Sequence, residues 1–321
     1  MVASKKILIT GGCGFIGLNL IDFLIKNTDW DISILDNLSV GEKKHLEKFP
    51  KNRIDFFKGD ILIENDVKKA IKNCQYLVHL AAQTDVINSI KNPIEDAKVN
   101  ILGLLNLLNS SVEHEINRFV FASSAAPLGE QIPPIDEKKV PSPVSPYGAS
   151  KLAGEGYCSA FAEIFNKKNV VLRFSNVYGP HSYKKESVVA NFIKKILFNE
   201  TLIIYGDGNQ TRDFIHVNDI ISAIYLSLTK KLKNNYYLFQ IGTGQEISIN
   251  KLYKVIKDEF NKKGHEISNP IYKKSRKGEI FKSYCNVKKA KEELGFKPDI
   301  KINNGIKDTL DWFLKNNEFK K

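Results

Sequence analysis

The segment Ile7-Leu8-Ile9-Thr10-Gly11-Gly12-Cys13-Gly14-Phe15-Ile16-Gly17 constrains this chain more than any other. A short apolar run ends in closely spaced glycines, and an amphipathic stretch begins at once, the pattern of a buried strand turning tightly into a helix. Glycines at such a turn allow close backbone approach, while the helix N-terminus offers unpaired N–H groups and partial positive charge. Together these make a site for a pyrophosphate. Two registers fit, one starting at Gly12 and one spacing Gly11, Gly14 and Gly17 by three. Both put Gly11, Gly14, Phe15, Ile16 and Gly17 against a dinucleotide. A tight turn without a ligand is the bland alternative, and the flanking strand and helix patterns weigh against it.

The rest of the first half repeats this alternation. Short apolar runs at 6–10, 31–36, 54–58, 76–80, 118–122 and 170–174 read as strands, and 16–26, 64–73, 94–114 and 147–165 as helices. In the third helix Val99, Leu102, Leu105, Leu107 and Leu108 fall close to one apolar face. The fold class is therefore α/β, a Rossmann-type doubly wound parallel sheet, with residues 1–175 as the cofactor-binding domain. Beyond it the pattern loosens, and 176–321 reads as a smaller, mixed α/β substrate domain, with segments near 214–242 as candidates to return to the first sheet.

Other partners are argued against. The formal charge of +12 is spread over short lysine pairs such as Lys43-Lys44 and Lys273-Lys274, so a nucleic-acid surface is not expected. No run reaches the roughly 18 apolar residues of a membrane span, and the start leads straight into the glycine motif, giving the expectation of a cytoplasmic protein. Four scattered cysteines and six scattered histidines suggest free thiols and no metal.

Asp36 ends the second strand about twenty residues after the glycines, where a carboxylate accepts hydrogen bonds from ribose hydroxyls. With Asn37 beside it and no arginine in Asn37-Leu38-Ser39 to hold a 2′-phosphate, the cofactor reads as NAD. Tyr147 and Lys151 stand four residues apart, on one face of a helix. A nearby ammonium favours phenolate, so Tyr147 can take a hydroxyl proton with Lys151 assisting. The strand Phe119-Val120-Phe121 ends in Ala122-Ser123-Ser124, at the sheet edge where ligands bind, and Ser124 is the candidate to hold the substrate oxygen.

With these motifs in place, the chain resembles the extended short-chain dehydrogenases, and among them the nucleotide-sugar epimerases and dehydratases, over nearly its full length. The resemblance extends to Gly59-Asp60-Ile61, His79-Leu80-Ala81-Ala82-Gln83, Asn100, Phe174-Ser175-Asn176-Val177-Tyr178-Gly179-Pro180 and Gln210-Thr211-Arg212-Asp213. It implies cofactor contacts from Asp60, Ile61, Leu80, Ala81, Ala82, Gln83, Asn100 and Phe174 as well as from Tyr147 and Lys151. It implies substrate contacts from Thr84, Ser123, Ser124, Tyr147, Asn176, Val189, Tyr205 and Arg212. Arg276-Lys277-Gly278-Glu279 is similar to the family's late nucleotide clamp, with Arg276 on diphosphate and Glu279 on ribose. Ser283, seven residues after Arg276, would border the sugar's C2 substituent, where a small residue leaves space for an N-acetyl group. A homodimer formed through the helices at 94–114 and 147–165 is also a family expectation.

The family's dehydratases carry an acidic pair directly after the catalytic hydroxyl, and here those positions are Ala125 and Ala126. The resemblance therefore implies a 4-epimerase of UDP-sugars, UDP-glucose/galactose and their N-acetylated counterparts, working through a transient 4-keto sugar. A UDP-glucuronate 4-epimerase is the main alternative, with His181, Lys184 and Lys185 as candidate cations. A dehydratase, a decarboxylase and a non-catalytic NAD-binding regulator stand further off.

Overall fold

The computed structural model describes residues 5–275 and 280–316. The chain starts as a regular alternation: β1 (Lys6–Thr10), α1 (Phe15–Asn27), β2 (Asp31–Asp36), β3 (Ile54–Lys58), α2 (Glu64–Ile71) and β4 (Tyr76–His79). Three helical pieces, α3 (Val86–Lys91), α4 (Pro93–Ala97) and α5 (Gly103–Glu113), lead to β5 (Arg118–Ser124), α6 (Pro146–Ile164) and β6 (Asn169–Phe174). Then come β7 (Asn176–Tyr178), α7 (Val188–Leu197), β8 (Ile203–Tyr205), β9 (Thr211–Arg212), β10 (Phe214–His216), α8 (Val217–Thr229) and β11 (Tyr236–Ile241). The last elements are β12 (Ile247–Ser248), α9 (Ile249–Asn261), β13 (Ile271–Lys273), β14 (Lys282–Ser283) and α10 (Ile302–Lys315).

The seven-stranded sheet runs β11, β6, β5, β4, β1, β2, β3, with every pair parallel. Strand alternation sorts its side chains into two layers. Ile7 and Ile9 pack toward α1 and α8, while Leu8, Phe119, Phe121 and Val171 join the layer under α2, α5 and α6. Both faces are covered, which is why these strands read as continuous apolar runs. The chain goes outward from β1 to β3 and then crosses back to β4. The carboxyl ends of β1 and β4 therefore open a crevice at the switch point.

Of the segments expected to return near 214–242, β11 pairs with β6 and Ile220, Ile221 and Ile224 of α8 enter the first core, whereas β10 pairs with β7 in a separate two-stranded sheet. Ala290, Leu294 and Phe296 come back to that core too, which the sequence pattern did not signal. A second core collects Ile193, Leu252, Ile256, Phe260, Ile306 and Leu310 beneath α7, α9 and α10. The single helix expected over 94–114 is instead interrupted by a π turn at Lys98–Leu102. Its extra residue shifts the helical phase, so Leu102, assigned to the apolar face, is 52% exposed, while Leu104 is buried and Asn100 turns inward.

Candidate active site

The crevice is a cleft of about 590 Å³. Its floor is the glycine turn. Gly11 has φ +70°, and a Cβ there would stand 2.7 Å from the backbone nitrogen of Ala81; one on Gly17 would lie 2.5 Å from the carbonyl oxygen of Gly11. No side chain caps the N-terminus of α1 at Gly14, so its N–H groups stay open to an anion. At the end of β2, Asp36 accepts from Cys13 N–H (2.9 Å) and Leu38 N–H (2.8 Å) and still lines the cleft with lone pairs to spare. Asn37 Nδ2 donates to Asp60 Oδ2 at 3.0 Å, joining two residues assigned to the adenosine end. Phe15, Ile16, Ile61, Leu80, Ala81, Ala82, Gln83 and Phe174 line the same cleft. These features suit a dinucleotide: close backbone, an uncapped helix end and a carboxylate at the end of the second strand.

At the other end of the cleft stand Ser124, Tyr147 and Lys151. The α6 helix begins where it does because Ser145 Oγ accepts from Gly148 N–H (3.1 Å) and Pro146 occupies the first turn. Tyr147 thus sits at the positive end of the helix, which favours phenolate. Burial pushes its phenol up to about 12, a hydrogen bond with the Ser124 side chain pulls it down, and the Asp96 charge raises it. Lys151 lies one turn on, its Nζ donating to the Ala122 carbonyl (2.9 Å) and standing 4.8 Å from the Phe121 ring centre. Burial lowers its ammonium to about 8, opposed by Asp96. His79, beneath the site, is held near 3 by burial and then by Lys151; its Nδ1 is 2.8 Å from Thr10 Oγ1.

Several assigned residues stand elsewhere. Asn100 does not reach the cleft. It is 2% exposed because the π turn directs it inward, where Oδ1 accepts from Gln83 N–H (2.9 Å) and Nδ2 donates to the Gln83 carbonyl, Asp96 and Ser150. Ser123 lines the cleft, but its hydroxyl donates to Glu155 Oε1 (2.6 Å), because alternation along β5 points it away from Ser124. Thr84, Asn176 and Val189 line the cleft. Tyr205, Arg212 and Ser283 do not; Tyr205 ends β8, and Ser283 pairs with Arg212 across β14 and β9. Arg276 and Glu279 lie outside the described residues.

Two groups were not foreseen. Glu155 holds Arg173 through Nε (2.8 Å) and Nη2 (2.6 Å), both side chains being buried. The spacing of Glu155 four residues after Lys151 was its available signal. The loops at 37–48 and 180–187 also meet across the cleft. Lys184 pairs with Glu42 (2.8 Å) and donates to Val40 O, Lys48 Nζ is 3.2 Å from His181 Nε2, and Asn19 reaches Pro180 O. This loop is strapped down, so His181 and Lys184 are engaged, while Lys185 faces the cleft 5.7 Å from the Phe15 ring centre.

A Rossmann-type sheet with a dinucleotide cleft, and Ser, Tyr and Lys together at its strand ends, defines the extended short-chain dehydrogenase class. More narrowly, a model of the NAD dependent epimerase/dehydratase family matches residues 7–242, and the chain belongs to that family. Its cofactor is NAD. Among its relatives, a Methanocaldococcus jannaschii protein described as a putative UDP-glucose 4-epimerase is 41% identical over 97% of this chain and 99% of its own. The Thermotoga maritima UDP-glucose 4-epimerase, solved with UDP-glucose, superimposes with a TM-score of 0.89 at 36% identity, covering 98% and 100% of the two chains. The UDP-N-acetylglucosamine 4-epimerase of Methanobrevibacter ruminantium M1, solved with UDP-N-acetylmuramic acid, gives 0.90 at 32% identity, covering 98% and 99%. Dehydratases are relatives as well: mouse dTDP-D-glucose 4,6-dehydratase is 32% identical over 98% of this chain and 90% of its own. Among the described residues, no helix is long and apolar enough to cross a membrane and no group of side chains is arranged to hold a metal ion.

Proposed function

We propose that this protein is an NAD-dependent 4-epimerase of UDP-hexoses, accepting UDP-N-acetylglucosamine and UDP-N-acetylgalactosamine along with UDP-glucose and UDP-galactose. One observation carries the choice among the family's reactions. Among the described residues lining the cleft, the carboxylates are Asp36, Glu42 and Asp60, all on the β2–β3 side of β1. Around Tyr147, on the β4–β5 side, no carboxyl group of the described residues lines the cleft, and the two positions after Ser124 are alanines. Elimination of water needs a further acid and base there; inversion at C4 needs only one group to take and return a proton.

In this reading Tyr147 takes the C4 hydroxyl proton, and Ser124 donates a hydrogen bond to the same oxygen. The charge of Lys151 would favour the phenolate against the burial that raises the phenol. NAD, held by the glycine turn, Asp36 and the β4 edge, supplies a reversible acceptor for the C4 hydride. Asn176, Val189 and Thr84 would meet the sugar and diphosphate, with Tyr205, Arg212, Arg276 and Glu279 on the nucleotide. The pairing of Ser283 with Arg212 supports placing both beside one ligand. Lys185 favours a second reading, in which a uronate carboxylate is also accepted. A homodimer belongs to the proposal because Ile87, Ile90, Ile94 and Leu102 on the α3–α5 segment, with Ile164 and Phe165 after it in α6 and its cap, are exposed.

The test is a panel of UDP-glucose, UDP-N-acetylglucosamine and UDP-glucuronate with separation of the products, run on the wild type and on Ser283→Tyr. The expectation is 4-epimers of the first two from the wild type, with only the acetylated activity lost in the variant. A dehydrated product, no acetylated activity in the wild type, or equal loss on both sugars would contradict it.

A further inference from the structure

Asp96 is 3% exposed. Its Oδ1 accepts from Asn100 Nδ2 at 3.1 Å, whereas Oδ2 has no hydrogen-bond partner, and no cation stands at ion-pair distance among the described residues. A carboxylate is not kept in such surroundings without a compensating charge nearby. The helix α4 that carries it packs on α6, and a chain of contacts leads from it into the active site. Asn100 Nδ2 also donates to Ser150 Oγ (3.1 Å), and Ser150 Oγ donates to the Tyr147 carbonyl (3.0 Å). Asn100 further clamps both backbone groups of Gln83 on the cleft wall.

The charged and titratable groups around this pocket are few. Among the described residues, from α6 they are Tyr147 and the buried ammonium of Lys151, with Cys158 and Glu155 beyond them, the latter tied to Arg173, and from β4 the buried His79, on which the Lys151 charge acts. On the helical segment of Asp96 itself, Glu95 and Lys98 pair with each other at the surface (4.0 Å), and on α3 Lys91 is exposed. Lys151 is thus the buried cation available to Asp96. Of the charged groups acting on Lys151, Asp96 acts most strongly, raising proton affinity there and at Tyr147 alike.

We propose that Asp96 is a positioning residue whose carboxylate, orphaned at Oδ2, is the counter-ion of Lys151 and sets the pH range over which the Tyr147–Lys151 pair works. This rests on the assignment of Tyr147 and Lys151 as the proton-transfer pair. The sign follows from electrostatics. Removing a negative charge lowers the proton affinity of both neighbours, so both limbs of the pH–rate profile move to lower pH, by about one unit for a buried charge on an adjoining helix in a partly screened interior. A purely structural Asp96 would lower turnover or stability at every pH and leave the limbs in place.

The experiment is NMR titration of the NAD-loaded protein with carbon-13 in its lysine side chains, Lys151 being identified by the signal that Lys151→Arg removes. The Lys151 midpoint, which burial holds below the ordinary lysine value, falls by about one further unit in Asp96→Asn and returns in Asp96→Glu. Asp96→Ser, also neutral, carries the same expectation should the asparagine variant not fold. An unchanged or raised midpoint in the neutral variants overturns the proposal. The titration needs no substrate, so a wild type that turned over no UDP-sugar would sink the functional reading and leave this measurement standing.

Discussion

Replacing Glu155 with leucine leaves Arg173, 2% exposed, as a buried cation without its counter-charge, and strips the Ser123 hydroxyl of its acceptor. Breaking such a pair from one side costs roughly 3–5 kcal/mol, most of it the desolvation of the abandoned ion. That is a large share of the ~5–15 kcal/mol that holds a typical protein folded. Arg173→Met should cost a similar amount by stranding the Glu155 carboxylate. The double variant Glu155→Leu, Arg173→Met removes both charges and puts apolar volume in their place, so it should be more stable than either single variant by at least about 2 kcal/mol. Urea unfolding at one fixed NAD concentration, followed for all four proteins, measures the cycle. Additive losses, or a Glu155→Leu variant within about 1 kcal/mol of wild type, would show that the pair does not stabilise the β5–α6–β6 junction from which Ser124 and Lys151 project.

Two further outcomes are expected. Tyr147→Phe should lower turnover at least ~100-fold, the usual scale for a lost acid–base group, while the purified protein still carries NAD; near-normal turnover would refute the proton-transfer role. A charge placed on the exposed apolar face, Ile94→Asp, should convert a sedimenting dimer to monomer, and an unchanged sedimentation coefficient would place the subunit contact elsewhere.

How much was legible in the sequence depended on whether function and local pattern coincide. The glycine turn, Asp36 at a strand end and Tyr147 four residues before Lys151 were readable because cofactor binding and proton transfer each demand fixed residue types at fixed local spacings. The return of α8 and β11 to the sheet was readable from their apolar runs. Helix α9, with Leu252, Ile256 and Phe260 buried along a lysine-rich stretch, was not, because its apolar stripe is narrow. Nor was the π turn, since the one-residue phase shift that exposes Leu102 and buries Asn100 arises from packing around Gln83 and Ser150, not from residue preference. Ser123 and Ser124 look alike in sequence. Only the pleat of β5 sends one hydroxyl to Glu155 and the other to Tyr147. Asp96 was hidden for a related reason, as its significance lies in α4 packing on α6, a contact between residues about fifty apart.

The most direct test of the central claim follows one atom. UDP-glucose carrying deuterium at C4 is incubated with the enzyme without added NADH, and the galactose epimer is isolated during steady turnover. If hydride leaves and returns within one closed cleft, the product retains the label at C4 and no reduced nicotinamide accumulates. Washout of deuterium into solvent, or a dehydrated sugar as the product, would contradict 4-epimerisation by internal hydride return.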